Sequence, residues 1–167
     1  MPETLAPVLP AHVDALVERV LQRACERDLR LVTAESCTGG LVASLLTDVT
    51  GASHAFERGF VTYTNEAKHE QLGVPLALLD DPGPVSEDVA RAMAEGALAN
   101  SRGDLAVAIT GYAGPGPGAT PGLVHFAVAS RDGATLHLRR HFIESDKAGV
   151  RLRAVEAALE LLREGLI

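Results

Sequence analysis

The chain has 167 residues, of which 47% are hydrophobic and 22% charged, and its net charge is −7. This acidic balance argues against a nucleic-acid-binding surface, which needs a basic face, and no stretch reaches the roughly 18 apolar residues of a membrane span. The length fits one domain, and we expect residues 1–167 to form it. No basic region followed by an apolar run opens the sequence, so we expect a cytoplasmic protein without membrane contact.

Hydrophobic periodicity predicts alternating helices and strands in the first half of the chain. Helices are indicated by apolar residues three and four positions apart, and strands by short apolar runs that end in polar or glycine-rich turns. The predicted elements are a helix at 11–28, a strand at 31–34, a helix at 37–47, a strand at 59–63 and a helix at 66–72 capped by Asn65.

The second half begins after the turn at 80–84, Asp-Asp-Pro-Gly-Pro. Ser86 followed by two acidic residues is typical of a helix start. The predicted elements are a helix from Ser86 to about 100, a buried strand at 105–109, a Gly/Pro-rich loop at 111–122, strands at 123–130 and 135–142, and a helix at 147–164. This order predicts a three-layer α/β/α sandwich with a mixed, mostly parallel sheet.

The segment at 34–40, AESCTGG, joins the first predicted strand to the second predicted helix. Ser36 alone is typical of a helix N-cap. Two glycines in a first helical turn, however, cost about 1 kcal/mol each relative to alanine. Free N–H groups at a helix N-terminus can hold a phosphate or form an oxyanion hole. The segment therefore indicates a functional site, with Ser36, Cys37 and Thr38 all open as nucleophiles.

Lys68 falls in the first turn of the predicted helix at 66–72. Most lysines are solvated surface residues, but a cation near a helix N-terminus is disfavoured, and this lowers its pKa. The helix dipole contributes about 0.3–1 kcal/mol, which corresponds to a pKa shift of less than one unit. A general base working near pH 7 needs its pKa lowered from about 10.4, so burial has to supply most of this decrease in pKa. Lys68 is a candidate base if the fold buries it.

Thr110 and Gly111 directly follow the apolar strand, and Ser36 and Tyr63 also come at the ends of predicted strands. In open α/β sheets, ligands bind beyond the carboxyl ends of the strands. This coincidence indicates a site more strongly than any one motif, since the Gly/Pro run lacks the Gly-Lys-Ser/Thr ending of a P-loop. The histidines are scattered, and the sequence predicts no metal site.

Four motifs, in order, resemble the CinA C-terminal domain family, the nicotinamide-nucleotide amidohydrolases. They are AESCTGG at 34–40, GFVTYTNEAKHEQLGV at 59–74, GPVSEDVARAMAEGAL at 83–98 and AITGYAGPGPG at 108–118. The last helix is also similar to the closing helix of the family, so the resemblance spans about residues 11–165. It implies an α/β/α sandwich with a mixed sheet, no metal or other cofactor, and a homo-oligomer.

The resemblance implies hydrolysis of the carboxamide of nicotinamide mononucleotide to nicotinic acid mononucleotide and ammonia. It assigns the nucleophile to Ser36, and the general base to Lys68 acting with Tyr63. The candidate residues for binding this small-molecule nucleotide are Thr38, Gly39 and Gly40 through their backbone N–H groups, Thr110 and Gly111 in the pocket wall, and Lys147 and Arg151 as cations.

Two segments depart from the family pattern. The family's Gly-rich loop usually continues through Lys-Pro-Val-Gly, whereas residues 119–122 are Ala-Thr-Pro-Gly and the lysine is missing. A Gly-Asp-Arg segment is replaced by Ser-Asp-Lys at 145–147, and lysine keeps the charge of arginine but not its bidentate geometry. We therefore expect an intact catalytic trio with altered phosphate recognition.

Two other functions remain open from the sequence. One is a related amidase with a different substrate. The other is a non-catalytic nucleotide-binding module linked to competence or DNA damage, as the family name suggests, although the net charge of −7 argues against direct DNA contact.

Overall fold

The computed structural model describes residues 9–143 and 145–167 and shows helices and strands in alternation. The helices are α1 (Ala11–Glu26), α2 (Leu41–Thr47), α3 (Asn65–Leu72), α4 (Leu76–Asp80), α5 (Glu87–Ala99) and α6 (Lys147–Gly165). The strands are β1 (Leu31–Glu35), β2 (Phe56–Val61), β3 (Leu105–Gly111), β4 (Leu123–Ser130) and β5 (Leu136–His141). Within these described ranges, none of the helices has the length and apolar character needed to cross a membrane.

The five strands form one mixed sheet in the order β2-β1-β3-β4-β5. Strands β2, β1 and β3 are parallel, and β4 and β5 add to them as antiparallel neighbours. Glu35 at the end of β1 is in register with Ile109 of β3, and the Ser36 N–H donates to the Ile109 carbonyl at 3.1 Å. The turn that follows β1 therefore lies beside the end of β3, the place where ligands bind in such sheets.

Helices cover both faces of this sheet. On β3, the larger residues Leu105, Val107 and Ile109 pack with α1, α2 and α6, whereas Ala106 and Ala108 face α5. Helix α5 presents small residues to the sheet as well, including Ala90, Ala94 and Ala97. The predicted three-layer α/β/α sandwich with a mixed sheet is confirmed.

Several predicted boundaries are wrong for local reasons. Helix α2 begins at Leu41 rather than 37, because Gly39 and Gly40 adopt left-handed conformations with φ of 60° and 96° and so interrupt the helix. Thr64, and not Asn65, caps α3, since its backbone is extended and its hydroxyl accepts from the Ala67 N–H at 3.1 Å.

Strand β2 and helix α4 also differ from the prediction. Strand β2 starts at Phe56 and ends at Val61, before Tyr63, and its polar residues Glu57 and Arg58 are tolerated because it is an edge strand. Helix α4 was not predicted, because its five residues are too few to show helical periodicity.

Candidate active site

A cleft of about 750 Å³ opens beyond the carboxyl ends of β1 and β3. Of the ten predicted site residues, all except Thr38 and Gly40 line it. The lining residues are Ser36, Cys37, Gly39, Tyr63, Asn65, Lys68, Pro84, Val85, the continuous run 110–117, Ala119, Lys147 and Arg151. The cleft thus joins the turn after β1, the start of α3, the Gly/Pro loop and the first turns of α6.

Ser36 and Lys68 meet in this cleft. The Lys68 Nζ lies 3.1 Å from the Ser36 Oγ, although 32 residues separate them in the chain. The same nitrogen donates to the main-chain carbonyls of Thr62 at 2.9 Å and Tyr63 at 3.3 Å. Lys68 is only 2% exposed, so the burial that the sequence left open is present.

Burial lowers the pKa of Lys68 from its ordinary value of 10.5 to about 8, and the nearby Cys37 opposes this change weakly. Desolvation acts in this direction because it disfavours the charged ammonium. At neutral pH a minor but sizeable fraction of the amine is therefore unprotonated, as a general base requires.

The neighbouring thiol has the opposite character. Cys37 lines the cleft and packs against the core, and burial raises the pKa of its thiol to about 11. Because the thiolate is the reactive form of cysteine, this residue is inert near neutral pH. Among the nucleophiles that the sequence left open, the geometry favours Ser36, since the Thr38 hydroxyl is buried and donates to Glu35 at 2.6 Å.

Tyr63 reaches Lys68 through its main chain. Its carbonyl accepts from Lys68, whereas its side chain is 74% exposed at the cleft. Within the described residues, the hydroxyl makes no hydrogen bond to Lys68 or Ser36. A direct proton exchange between the Tyr63 hydroxyl and Lys68 is therefore not prearranged in this structure, and the ring is free to meet a ligand.

The N–H groups of the turn after β1 are mostly occupied. Gly39 donates to the Ser36 carbonyl and Gly40 to the Glu35 carboxylate, each at 3.1 Å, so the prediction that these two N–H groups face a ligand is wrong. The N–H groups of Cys37 and Thr38 donate to no oxygen of the described chain. Both directly follow the nucleophile, but Thr38 is fully buried and does not line the cleft, so the Cys37 N–H is the one in place to stabilise an oxyanion.

The glycines have a different role from the one expected. Gly39 and Gly40 are required because both have positive φ, and a Cβ on Gly39 would also lie 3.3 Å from the Arg151 guanidinium. They allow the backbone conformation of the turn and leave space for the Arg151 side chain beside it.

Thr110 and Gly111 shape the opposite wall of the cleft. The Thr110 hydroxyl donates to the Pro84 carbonyl at 2.7 Å and so fixes the segment before α5. A Cβ on Gly111 would lie 2.7 Å from Val124 and 2.9 Å from the Leu123 carbonyl, so this glycine permits close strand packing at the cleft.

Lys147 and Arg151 lie one turn apart on α6 and supply positive charge to the cleft. Arg151 donates to the Thr38 carbonyl at 3.3 Å, while its buried Nε has no hydrogen-bond partner in the described part of the chain. Lys147 is exposed, and its alkyl chain runs beside Gly114 of the Gly/Pro loop. Such a pair of cations suits an anionic ligand group.

The sequence interpretation missed Glu35. This carboxylate at the end of β1 is fully buried and accepts hydrogen bonds from Thr38, Gly40, Val42 and Ala43. A signal was present, because an acidic residue that closes an otherwise apolar strand is costly unless it is paired.

Comparison with known proteins identifies the family of the chain. The family model for the CinA C-terminal domain matches residues 13–166. The chain belongs to this family. It is 45% identical to a CinA-like protein of Geobacter sulfurreducens over 99% of the chain and 40% of that protein. It is 47% identical to the nicotinamide-nucleotide amidohydrolase PncC of Enterobacter agglomerans over 78% of the chain and 82% of that protein.

Solved CinA structures share the whole architecture. The competence/damage inducible protein CihA of Agrobacterium tumefaciens superposes with a TM-score of 0.91 at 42% identity, covering 96% of this chain and 99% of that one. A CinA superfamily protein of Enterobacter cloacae gives a TM-score of 0.88 at 32% identity, covering 100% and 99%. The chain spans about two fifths of the length of the CinA-like relatives.

Proposed function

We propose that this CinA-family chain hydrolyses the carboxamide of nicotinamide mononucleotide to nicotinic acid mononucleotide and ammonia. The observation that carries the proposal is the contact of 3.1 Å between the buried Lys68 Nζ and the Ser36 Oγ in the cleft. The amidohydrolase name of the Enterobacter agglomerans relative supports the choice of substrate. A volume of about 750 Å³ is ample for a mononucleotide.

The surroundings of Lys68 orient it for proton transfer. A neutral amine has two N–H bonds and one lone pair. With the two N–H bonds directed to the carbonyls of Thr62 and Tyr63, the lone pair faces the Ser36 hydroxyl. The carbonyls thus hold the base in the orientation that removes the Ser36 proton.

The reaction then proceeds in two halves. As Lys68 takes the Ser36 proton, the Oγ bonds to the carboxamide carbon, and the oxyanion formed is stabilised by the N–H group of Cys37. The Lys68 ammonium returns the proton to the amide nitrogen, the C–N bond breaks, and ammonia leaves. Water, deprotonated by Lys68, cleaves the resulting ester and regenerates Ser36, giving the carboxylate product.

Lys147 and Arg151 are the proposed partners of the substrate phosphate. Both line the cleft at the start of α6, and the chain lacks the lysine that the family's Gly-rich loop usually carries. This missing cation favours one second candidate, an amidase of the same mechanism that accepts a substrate without the phosphate.

Ammonia release from nicotinamide mononucleotide, nicotinamide riboside and nicotinamide, measured side by side, tests the proposal. We expect turnover of the mononucleotide, abolished in Ser36→Ala. Turnover of the riboside in preference to the mononucleotide would support the second candidate. No turnover of any of the three would contradict the amidohydrolase proposal.

A further inference from the structure

Glu35 is a buried carboxylate next to the nucleophile for which the proposed mechanism has no use. It is 0% exposed, ends β1, and immediately precedes Ser36. Its Oε2 accepts from the Thr38 hydroxyl at 2.6 Å and from the N–H groups of Gly40 and Val42, each at 3.1 Å. Its Oε1 accepts from the Ala43 N–H at 2.8 Å.

These bonds account for the start of α2. Gly40, the N-cap residue, has no side chain to cap the helix. Leu41 donates to the Thr38 carbonyl, and Glu35 takes the N–H groups of Val42 and Ala43, which an uncapped helix would leave without partners. The positive end of the helix also favours an anion at this place. The carboxylate acts as an internal cap supplied from the preceding strand.

The same bonds define which N–H groups of the turn stay open. Ser36 donates to Ile109, Gly39 to the Ser36 carbonyl, and Gly40 to Glu35. The Cys37 N–H remains open at the cleft, and the buried Thr38 that follows it is held through its side chain by Glu35. The carboxylate thus fixes the turn around the Cys37 N–H.

We propose that Glu35 is a positioning residue that, through Thr38 and Gly40, holds Ser36 and the Cys37 N–H group in the geometry of the tetrahedral intermediate. This inference rests on the proposed function for its place in catalysis. Glu35 touches no reacting atom, and its effect passes through the turn that it closes. Its removal is expected to lower kcat and to leave KM nearly unchanged, because the groups that face the nucleotide lie elsewhere in the cleft.

The test uses Glu35→Gln and Glu35→Ala, with two readouts. The first is kcat and KM for nicotinamide mononucleotide. The second is the rate at which diisopropyl fluorophosphate labels Ser36, measured by intact mass; there the Ser36 Oγ bonds to phosphorus, fluoride leaves, and Lys68 takes the proton. Labelling needs the nucleophile and the oxyanion donor but no amide substrate, and Ser36→Ala identifies the labelled residue.

We expect Glu35→Gln to slow labelling and kcat by about tenfold, because the amide keeps one acceptor oxygen, and Glu35→Ala by about a hundredfold. The labelling rate should still rise with pH and level off near pH 8, since Lys68 is unchanged. Val20→Ala is the matched control, because Val20 is fully buried in α1 and does not line the cleft. It should lower the melting temperature without changing the labelling rate.

Labelling at the parental rate in both Glu35 variants would overturn the proposal, and so would equal slowing in Val20→Ala. If Glu35→Ala does not fold, Glu35→Gln alone decides between these outcomes. If the parent chain is labelled at Ser36 but releases no ammonia, the proposed function is contradicted. The labelling rates of the Glu35 variants would then still test whether Glu35 positions Ser36.

Discussion

At the scale of single residues, Lys68 connects stability to reactivity. The folded chain lowers the pKa of its ammonium from 10.5 to about 8. Since one pH unit corresponds to about 1.4 kcal/mol, the protonated form destabilises the fold by about 3 kcal/mol. The unfolded state binds more protons between pH 8 and 10.5, so stability rises with pH in that window, while the whole destabilisation is present below pH 8.

Replacement of Lys68 by methionine should abolish hydrolysis and change how stability depends on pH. Methionine has a similar length and no charge, so it removes the cost of burying the ammonium, but at every pH it also removes the hydrogen bonds to the carbonyls of Thr62 and Tyr63. The free energy of unfolding of the variant relative to the parent should be more favourable at pH 7 than at pH 10 by about 2–3 kcal/mol, because only the parent gains stability as its amine becomes neutral. Urea denaturation at the two pH values measures this difference. An equal difference at pH 7 and pH 10 would contradict the assigned burial cost.

The activity of the parent should follow the protonation of Lys68. Only the neutral amine accepts the Ser36 proton. We therefore expect kcat/KM to rise about tenfold per pH unit until the pH reaches the pKa of Lys68, about 8, and then to level off. Initial rates of ammonia release from pH 5.5 to pH 9.5 test this prediction. A rate independent of pH below 8 would exclude Lys68 as the base.

Tyr63→Phe separates the two ways in which Tyr63 can act. The variant removes the hydroxyl but keeps the carbonyl that binds Lys68. We expect the activity of the variant to level off near pH 8 as in the parent, with any loss of activity confined to substrate contacts. The pH profile of the variant measures this, and a shift in the pH at which activity levels off would show that the hydroxyl is coupled to the base. Cys37→Ala serves as the control for a cleft residue with an inert side chain, and it should keep most activity.

At the scale of elements, the packing of α3 on α5 sets the position of the base. Gly96 of α5 lies against the end of α3, and a Cβ on it would fall 1.9 Å from the Leu72 carbonyl oxygen. Helix α3 carries Lys68 one turn earlier. Close approach of the two helices at Gly96 is therefore a condition for bringing Lys68 to Ser36.

Gly96→Ala should accordingly impair catalysis from outside the cleft. The added methyl group forces a backbone shift of α3, and we expect a loss of about 1–3 kcal/mol of stability together with a fall in kcat. Thermal unfolding and steady-state rates measure the two effects. Full activity with normal stability would show that α3 can move without displacing Lys68.

The elements also show how far the sequence carried the prediction. The apolar run of β3 and the periodicity of α1 and α6 predicted the three layers correctly, because the spacing of apolar residues indicates which side of an element is buried. Strand β2 began three residues earlier than expected, since an edge strand needs little apolar character. The burial of Lys68 depends on a contact with Ser36, 32 residues away, so no local pattern contained it. The contacts of Glu35 are with residues 38–43 and were open to a local reading that the interpretation did not make.

At the scale of the whole molecule, the residues proposed for bond cleavage and those proposed for phosphate binding come from different parts of the chain. Ser36 and Lys68 come from the first half of the chain, on either side of β2, while Lys147 and Arg151 come from the last helix. The two pairs line one cleft beyond the adjacent ends of β1 and β3.

Lys147→Ala tests the proposed role of α6 in recognition. The residue is exposed and lines the cleft, and we expect KM for nicotinamide mononucleotide to rise about tenfold with kcat nearly unchanged, as for a lost hydrogen bond to a charged group. Arg153→Ala is the matched control, because it removes an exposed cation from the same helix outside the cleft. Unchanged KM in Lys147→Ala would place the phosphate elsewhere.

The separation of the two pairs along the chain has an evolutionary consequence. The Gly/Pro loop and the first turn of α6 can diverge by substitution or by shortening of the loop, while Ser36 and Lys68, the proposed nucleophile and base, stay in contact elsewhere in the cleft. Members of one family can thereby inherit a single hydrolytic apparatus and acquire new substrates. Grafting that loop and the first turn of α6 from one member onto another is then the natural route to exchange their preferences.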